Sequence, residues 1–315
     1  MDLRFKLSGS KSESNRLLIL KSLYRNISIK NISTSNDTQI LKKNLENLND
    51  RLNVGHAGTA MRFLTAFLSI QNGKTFKIFG SERMHKRPIG PLVEALNSIG
   101  ANIIYLEKKG FPPLKIEGKK MKKNYLSIDG NLSSQYISAL LLISPMIEKG
   151  LTINVEGDIV SKPYLDMTLF FLKKFGIKTI LEKNKIQVFE TKMIKDFNYE
   201  VESDWSSLSY FFSIVSLSQN ASLQISKFRK NTIQGDKRLM QIYKKLGVNS
   251  SFHNNSIILT KDLSHGIARK ISLDLNDCPD IAQTIAVNCF GLGIPCDLFG
   301  LHTLKIKETD RLLAL

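Results

Sequence analysis

Cysteine is nearly missing from this chain. Cys278, Cys289 and Cys296 are the only three in 315 residues, and none stands in a Cys-x-x-Cys spacing. An odd, late cluster of that kind excludes a disulfide framework and a zinc site. The thiols are expected to be small buried hydrophobes. His, Cys and carboxylates nowhere combine with metal-ligand spacing, so neither a metal nor a cofactor is expected. Long apolar runs are missing too. Leu140-Leu141-Leu142-Ile143 is among the longest, far too short to cross a bilayer. Asp2 and Arg4 lead almost at once into a polar motif, with no secretory or Arg-rich leader before it. A cytoplasmic protein without membrane attachment is therefore expected. Acid is scarce: 28 Asp+Glu face 45 Lys+Arg, for a net charge of +17. Such a field attracts anions, whether nucleic acid or a small polyanionic substrate. The lysines stand singly or in short pairs, as in Lys119-Lys120 and Lys122-Lys123, and form no basic-aromatic ribbon. That pattern speaks against nucleic acid.

What is present is enough apolar material for a large core: 42% of 315 residues, sufficient for two domains. A unit recurs along the chain, a polar loop followed by a small-residue start to an apolar helix. It is read at Gly55-His56-Ala57-Gly58-Thr59-Ala60-Met61-Arg62, at Gly130-Asn131-Leu132-Ser133-Ser134-Gln135-Tyr136, at Ser203-Asp204-Trp205-Ser206-Ser207 and at Asn276-Asp277-Cys278-Pro279-Asp280. The steps are 75, 73 and 73 residues. Second helices are predicted over 88–100, 163–176 and 236–247, each ending in Gly, the favoured residue just past a helix end. β-like runs follow at 101–106, 177–181 and 248–252. The pattern predicts an α/β fold of repeated βαβαββ modules. A fourth second helix is predicted to begin at 307–311, so the last module reads as incomplete within 315 residues.

The first polar motif is Gly9-Ser10-Lys11-Ser12-Glu13-Ser14-Asn15-Arg16, ahead of Leu17-Leu18-Ile19-Leu20. It reads as a helix N-terminus, where free N–H groups attract anions. A hydroxyl, an ammonium and a guanidinium there suit a phosphate or carboxylate. An ordinary Ser-capped helix with exposed basic residues fits that motif alone equally well. Asp280 after Pro279 and Glu308 near a predicted helix start have equally ordinary uses, as a cap and a dipole partner.

In order along the chain, Lys11-Ser12-x-Ser14-Asn15-Arg16, Gly58-Thr59-Ala60-Met61-Arg62, Arg83-Met84 with Arg87-Pro88-Ile89-Gly90, Ser133-Ser134-Gln135, Ser161-Lys162-Pro163-Tyr164, Asp204, Pro279-Asp280 and Lys307-Glu308-Thr309-Asp310-Arg311 resemble the motifs of the enolpyruvyl transferase family, in its branch acting on shikimate 3-phosphate. That resemblance implies transfer of the enolpyruvyl group of phosphoenolpyruvate to the 5-hydroxyl of shikimate 3-phosphate, on the route to chorismate and the aromatic amino acids. It implies two domains of βαβαββ modules with the substrates in a cleft between them. The first would be 10–202, the second 1–9 plus 203–315, and the protein would be a monomer. Lys11 would contact the reacting region and phosphoenolpyruvate, with Gly58, Arg87, Gln135 and Arg311. Ser12, Arg16, Ser133, Ser134, Gln135, Ser161, Tyr164, Asp280, Thr303 and Lys307 would hold shikimate 3-phosphate. Asp280 would be the base and Glu308 the acid. His56 departs from the Asn or small residue usual in the family, and Thr303 stands where some members have Asn. Later family segments, carrying an Arg and a Lys, have no counterpart in these 315 residues, so low activity is expected of this form.

Three rivals remain open at this point. The sister family acting on a UDP-amino sugar opens with a Lys-Asn pair and uses a loop Cys, whereas Ser12 follows Lys11 here and no Cys precedes Cys278. An RNA-end-processing protein should show stacking aromatics, which are not found. The third is a non-catalytic remnant binding shikimate 3-phosphate.

Overall fold

The computed structural model describes residues 2–131, 133–264 and 266–315. Leu132, in the second copy of the repeat, lies outside them. The chain forms two compact units. Unit 1 comprises Met1–Ser10, Val201–Lys305 and Thr309–Leu315, and unit 2 comprises Lys11–Glu200 and Ile306–Glu308. The three residues 306–308 thus group apart from the segment expected to hold them.

Unit 2 repeats one pattern: an apolar helix, a strand, a second helix and an antiparallel hairpin. Its first helices are Lys11–Leu23, Gly58–Ser69 and Ser134–Ile143. All twelve residues of Gly58–Ser69 are buried, as the run Gly-Thr-Ala-Met-Arg-Phe-Leu-Thr-Ala-Phe-Leu-Ser demands, since an apolar helix without a polar face needs cover on all sides. Ser133 caps Ser134–Ile143 by accepting a bond from the Gln135 N–H. The sheets combine a parallel pair with a hairpin. Arg51–Asn53 pairs with Thr75–Phe79, then Leu114–Glu117 and Asn102–Tyr105. Tyr125–Asp129 pairs with Leu151–Glu156, then Lys185–Val188 and Thr179–Glu182. The first module is shorter. Among the described residues its strand Ile27–Lys30 pairs only with Phe197–Glu200, in parallel. No hairpin separates the helix Asn36–Glu46 from Arg51–Asn53, which explains why the 73-residue step does not extend back to Lys11.

Unit 1 has a four-stranded sheet of Asp2–Lys6, Ser222–Ser226, Ser256–Lys261 and Val248–His253 in that order. A parallel pair, Ile271–Asp274 with Cys296–Phe299, stands apart. Helices Trp205–Leu217 and Ala282–Leu292 pack Trp205, Phe212, Ile285 and Cys289 inward. The Asp204 carboxylate caps the first by accepting from the Ser207 N–H at 2.8 Å.

The predicted second helices are Gly90–Ser98, Lys162–Lys174 and, after a 3₁₀ turn, Leu239–Lys244. Gly100, Gly176 and Gly247 follow them at φ of 114, 77 and 77°, the left-handed stop that glycine adopts without penalty. The fourth second helix begins at Arg311, at the end of the predicted window 307–311: 307–309 form a bend, and the helix is Arg311–Ala314, capped by Asp310. No helix among the described residues is long and apolar enough to cross a membrane.

Cys278 and Cys289 are buried and Cys296 half-buried. Burial and the nearby Asp236 push the Cys278 thiol up to about 12, while burial and Cys296 push Cys289 to about 12. Thiolates are the reactive form. A maleimide at pH 7.5 is therefore expected to modify Cys296 first and to leave the other two unmodified until the fold is opened with denaturant. Equal rates at all three in native protein would overturn this assignment.

Candidate active site

In unit 2 the centre of the arrangement is Arg87. It ends the turn Met84–Lys86 in extended backbone, φ −94° and ψ 125°, the conformation that a following proline imposes. Arg87 is only 5% exposed. One terminal nitrogen donates to the Glu308 carboxylate at 3.3 Å and to the His56 carbonyl at 3.3 Å. The Arg87 Nε–H is buried with no partner. Burial and the charge of Arg62 lower Arg87 to about 10, against the opposing pull of Glu308 and Asp37. The guanidinium lies against Gly58, where a Cβ would meet its atoms at 2.4 to 2.6 Å. Gly58 is thus a contact surface for Arg87. His56 is exposed, and its ring Nδ1 lies 2.9 Å from the Ser81 hydroxyl. The carbonyl of His56, rather than its ring, reaches Arg87.

Asp37 was not singled out in the sequence. Burial chiefly raises its carboxyl above the usual range, Glu308 adds to this, and Lys11, Arg87 and Lys307 act in the opposite direction. Lys11, Asp37, Arg87, Lys307 and Glu308 therefore share one electrostatic neighbourhood, although they come from four separate segments. The only sequence signal for Asp37 was an acid in the first turn of a helix, which reads as a dipole partner. Lys307 also receives an Arg83 Nε–H on its carbonyl at 3.2 Å.

Gln135, at the start of its helix, donates to the Thr59 hydroxyl at 3.3 Å and so stands beside the Gly58 helix. Ser133 spends its oxygen as a cap, while Ser134 is buried at the first position of the helix. Ser161 is buried in the left-handed region at φ 56°. A strained non-glycine residue of this kind is often found at a binding site. Tyr164 follows one turn into the same helix, Lys162–Lys174.

Arg16 is not an exposed base, and the ordinary reading of the first motif fails there. It is 2% exposed and sits over the Phe63 ring at 5.6 Å. Its Nε–H donates to the Thr168 hydroxyl at 2.7 Å. Its terminal nitrogens donate to the Ser12 carbonyl at 2.8 Å, the Tyr164 carbonyl at 2.9 Å and the Ser138 hydroxyl at 3.2 Å. Four of five donors are committed. Burial lowers its pKa to about 10, with Tyr164 and Glu13 opposing. Arg16 thus ties together the segments that carry Ser12, Ser138 and Tyr164.

In unit 1, Asp280 lies in the short 3₁₀ turn Pro279–Ile281. It accepts a bond from the Arg311 guanidinium at 3.1 Å, with both side chains about one-quarter exposed. Thr303 is in the 3₁₀ turn His302–Ile306, half-buried. No metal-holding group of His, Cys and carboxylates exists among the described residues.

The mixed α/β fold of repeated modules carries buried guanidinium groups beside carboxylates, with the half-buried Lys11 and Lys307 in the same neighbourhood, a site suited to small anions. The model of EPSP synthase (3-phosphoshikimate 1-carboxyvinyltransferase) matches residues 40–315. A 3-phosphoshikimate 1-carboxyvinyltransferase of Bacteroides fragilis (strain YCH46) is 41% identical over 310 residues, 98% of this chain and 75% of that protein. One from Janthinobacterium sp. (strain Marseille) is 34% identical, over 98% of this chain and 76% of that one. The EPSP synthase structure from Acinetobacter baumannii superposes with a TM-score of 0.74 over 99% of this chain and 76% of its own, at 20% identity, a likeness of fold. The chain belongs to the EPSP synthase family.

Proposed function

We propose that this chain transfers the enolpyruvyl group of phosphoenolpyruvate to the 5-hydroxyl of shikimate 3-phosphate and releases phosphate. Family membership supports the reaction, and one observation supports the site: a buried Arg87 laid on Gly58, with an unpartnered Nε–H and Glu308 in contact. A buried guanidinium with donors to spare suits a phosphate or carboxylate. Lys11, Gly58, Arg87, Gln135 and Arg311 bind phosphoenolpyruvate. Ser12, Ser133, Ser134, Gln135, Ser161, Tyr164, Thr303 and Lys307 bind shikimate 3-phosphate. Arg16 serves that site by holding Ser12 and the Tyr164 backbone in place. The reading includes a cytoplasmic, monomeric protein acting on these two small molecules alone.

The reaction adds an alcohol across the enol double bond. Asp280 takes the proton of the 5-hydroxyl as its oxygen bonds to C2 of phosphoenolpyruvate. Glu308 gives a proton to the methylene, forming a methyl group and a tetrahedral adduct. Glu308, now a carboxylate, takes a proton back from the methyl group as the C2–phosphate oxygen bond breaks, which restores the double bond and releases phosphate. Cations clamp the charge that the leaving phosphate gathers.

Phosphate release from phosphoenolpyruvate is expected only when shikimate 3-phosphate is present. Glu308→Gln and Asp280→Asn should each lower kcat about 10²–10⁴-fold, the usual worth of a general acid or base. A colorimetric phosphate assay reads both. Release independent of shikimate 3-phosphate, or either variant turning over at the parent rate, would sink the reading.

A further inference from the structure

Arg62 is a buried guanidinium that the reaction does not use directly. It is 4% exposed. One terminal nitrogen donates to the Gly58 carbonyl at 3.1 Å and lies 3.8 Å from the Met84 sulfur. The other donates to the Pro88 carbonyl at 2.7 Å. Its partners are therefore neutral, two carbonyls and a thioether. The Tyr136 hydroxyl donates to the same Pro88 carbonyl, also at 2.7 Å.

These contacts fall on the backbone either side of the anion site. Gly58 is the surface on which Arg87 lies. Pro88 follows Arg87 directly, and on its other side the Arg87 N–H donates to the Met84 carbonyl at 3.0 Å. Arg62 thus joins the backbone under the Arg87 guanidinium to the backbone that carries it. Tyr136 braces the second of these from another helix.

We infer that Arg62 is a positioning residue for phosphoenolpyruvate binding, fixing Arg87 against Gly58 through the Pro88 carbonyl, with Tyr136 as its second brace. The inference rests on the reading that Arg87 binds phosphoenolpyruvate. Arg62 also lies close enough to Arg87 to lower its pKa. Two guanidiniums held near each other gain from an anion between or beside them, so Arg62 adds attraction without touching the ligand.

Calorimetric titration of the 315-residue protein with phosphoenolpyruvate, and separately with shikimate 3-phosphate, tests this. Arg62→Met and Arg62→Lys should raise the phosphoenolpyruvate Kd about tenfold, and Tyr136→Phe about threefold. The shikimate 3-phosphate Kd should move less than twofold. In an Arg87→Lys background the same changes should cost under twofold, because a residue that acts through Arg87 has nothing left to position. Equal losses in both backgrounds, equal losses for both ligands, or no loss would overturn the inference. Should Arg62→Met fail to fold, Tyr136→Phe carries the same comparison. A parent protein that binds no phosphoenolpyruvate would instead overturn the site reading itself.

Discussion

Gly58→Ala is expected to raise the phosphoenolpyruvate KM ten- to a hundredfold while leaving the fold intact. The new Cβ would stand 2.4 to 2.6 Å from three guanidinium atoms of Arg87. No carbon approaches that closely, so the guanidinium must move by about an ångström. It is the far end of a long side chain and can do so without disturbing the core. Gly58 begins a helix and its φ is not in the left-handed region, so alanine itself is tolerated by the backbone. The displaced guanidinium would lose its contact with Glu308 or the His56 carbonyl. Misplacement by an ångström typically costs about a hundredfold in reactivity. Steady-state kinetics and a melting curve check the claim together. An unchanged KM would show that Arg87 does not grip this substrate, and a collapsed melting transition would show that Gly58 is needed for folding.

Arg16→Met should be the more damaging change for stability. The guanidinium satisfies two carbonyls and two hydroxyls in the buried heart of unit 2. Hydrogen bonds to a charged group contribute roughly 1.5–3 kcal/mol each, and buried acceptors left without donors add their desolvation cost. Some recovery is available, since the Thr168 hydroxyl also reaches the Ser138 hydroxyl and the Tyr164 carbonyl at 3.0 Å. A loss on the order of 3 kcal/mol or more remains, read from the urea midpoint of the transition that unfolds unit 2. Arg16→Lys should recover little, because one ammonium cannot span four acceptors spread over three helices. A loss below about 0.5 kcal/mol would show the network to be dispensable.

The modules were legible because their signals are local. Gly100, Gly176 and Gly247 mark real helix ends, and the small-residue loops at 58, 134, 205 and 282 begin real helices. Less legible was anything decided by distant partners. Arg16 reads as a surface base at a helix start, and only Thr168 and Tyr164, about 150 residues away, make it a buried clamp. Asp37 reads as a helix dipole partner until the fold brings Lys11, Arg87 and Lys307 near it. Arg62 lay inside a recognised motif, yet its task depends on the Pro88 carbonyl and on Tyr136. Within the predicted window 307–311 the last helix starts only at Arg311, since the charged run 307–310 fits a bend as well as a helix start.

One strand has a consequence for biosynthesis. Asp2–Lys6 pairs in parallel with Ser222–Ser226, across about 220 residues of chain. Nearby, the Ser10 N–H reaches the Glu202 carbonyl at 2.8 Å, and the Asp204 N–H reaches the Ser8 carbonyl. The stretch 11–200 is therefore strung between two points that lie side by side. On a ribosome adding roughly 5–20 residues each second, the strand 2–6 is made well before its partner and waits roughly 10 to 45 seconds for it. During that time its hydrogen-bonding edge and Phe5 have no sheet to join, while the stretch 11–200, all of unit 2 but residues 306–308, can fold behind it. A nascent chain arrested once residue 200 has cleared the ribosome, but before Ser222–Ser226 has, should present a protease-resistant 11–200 and a readily cleaved strand 2–6.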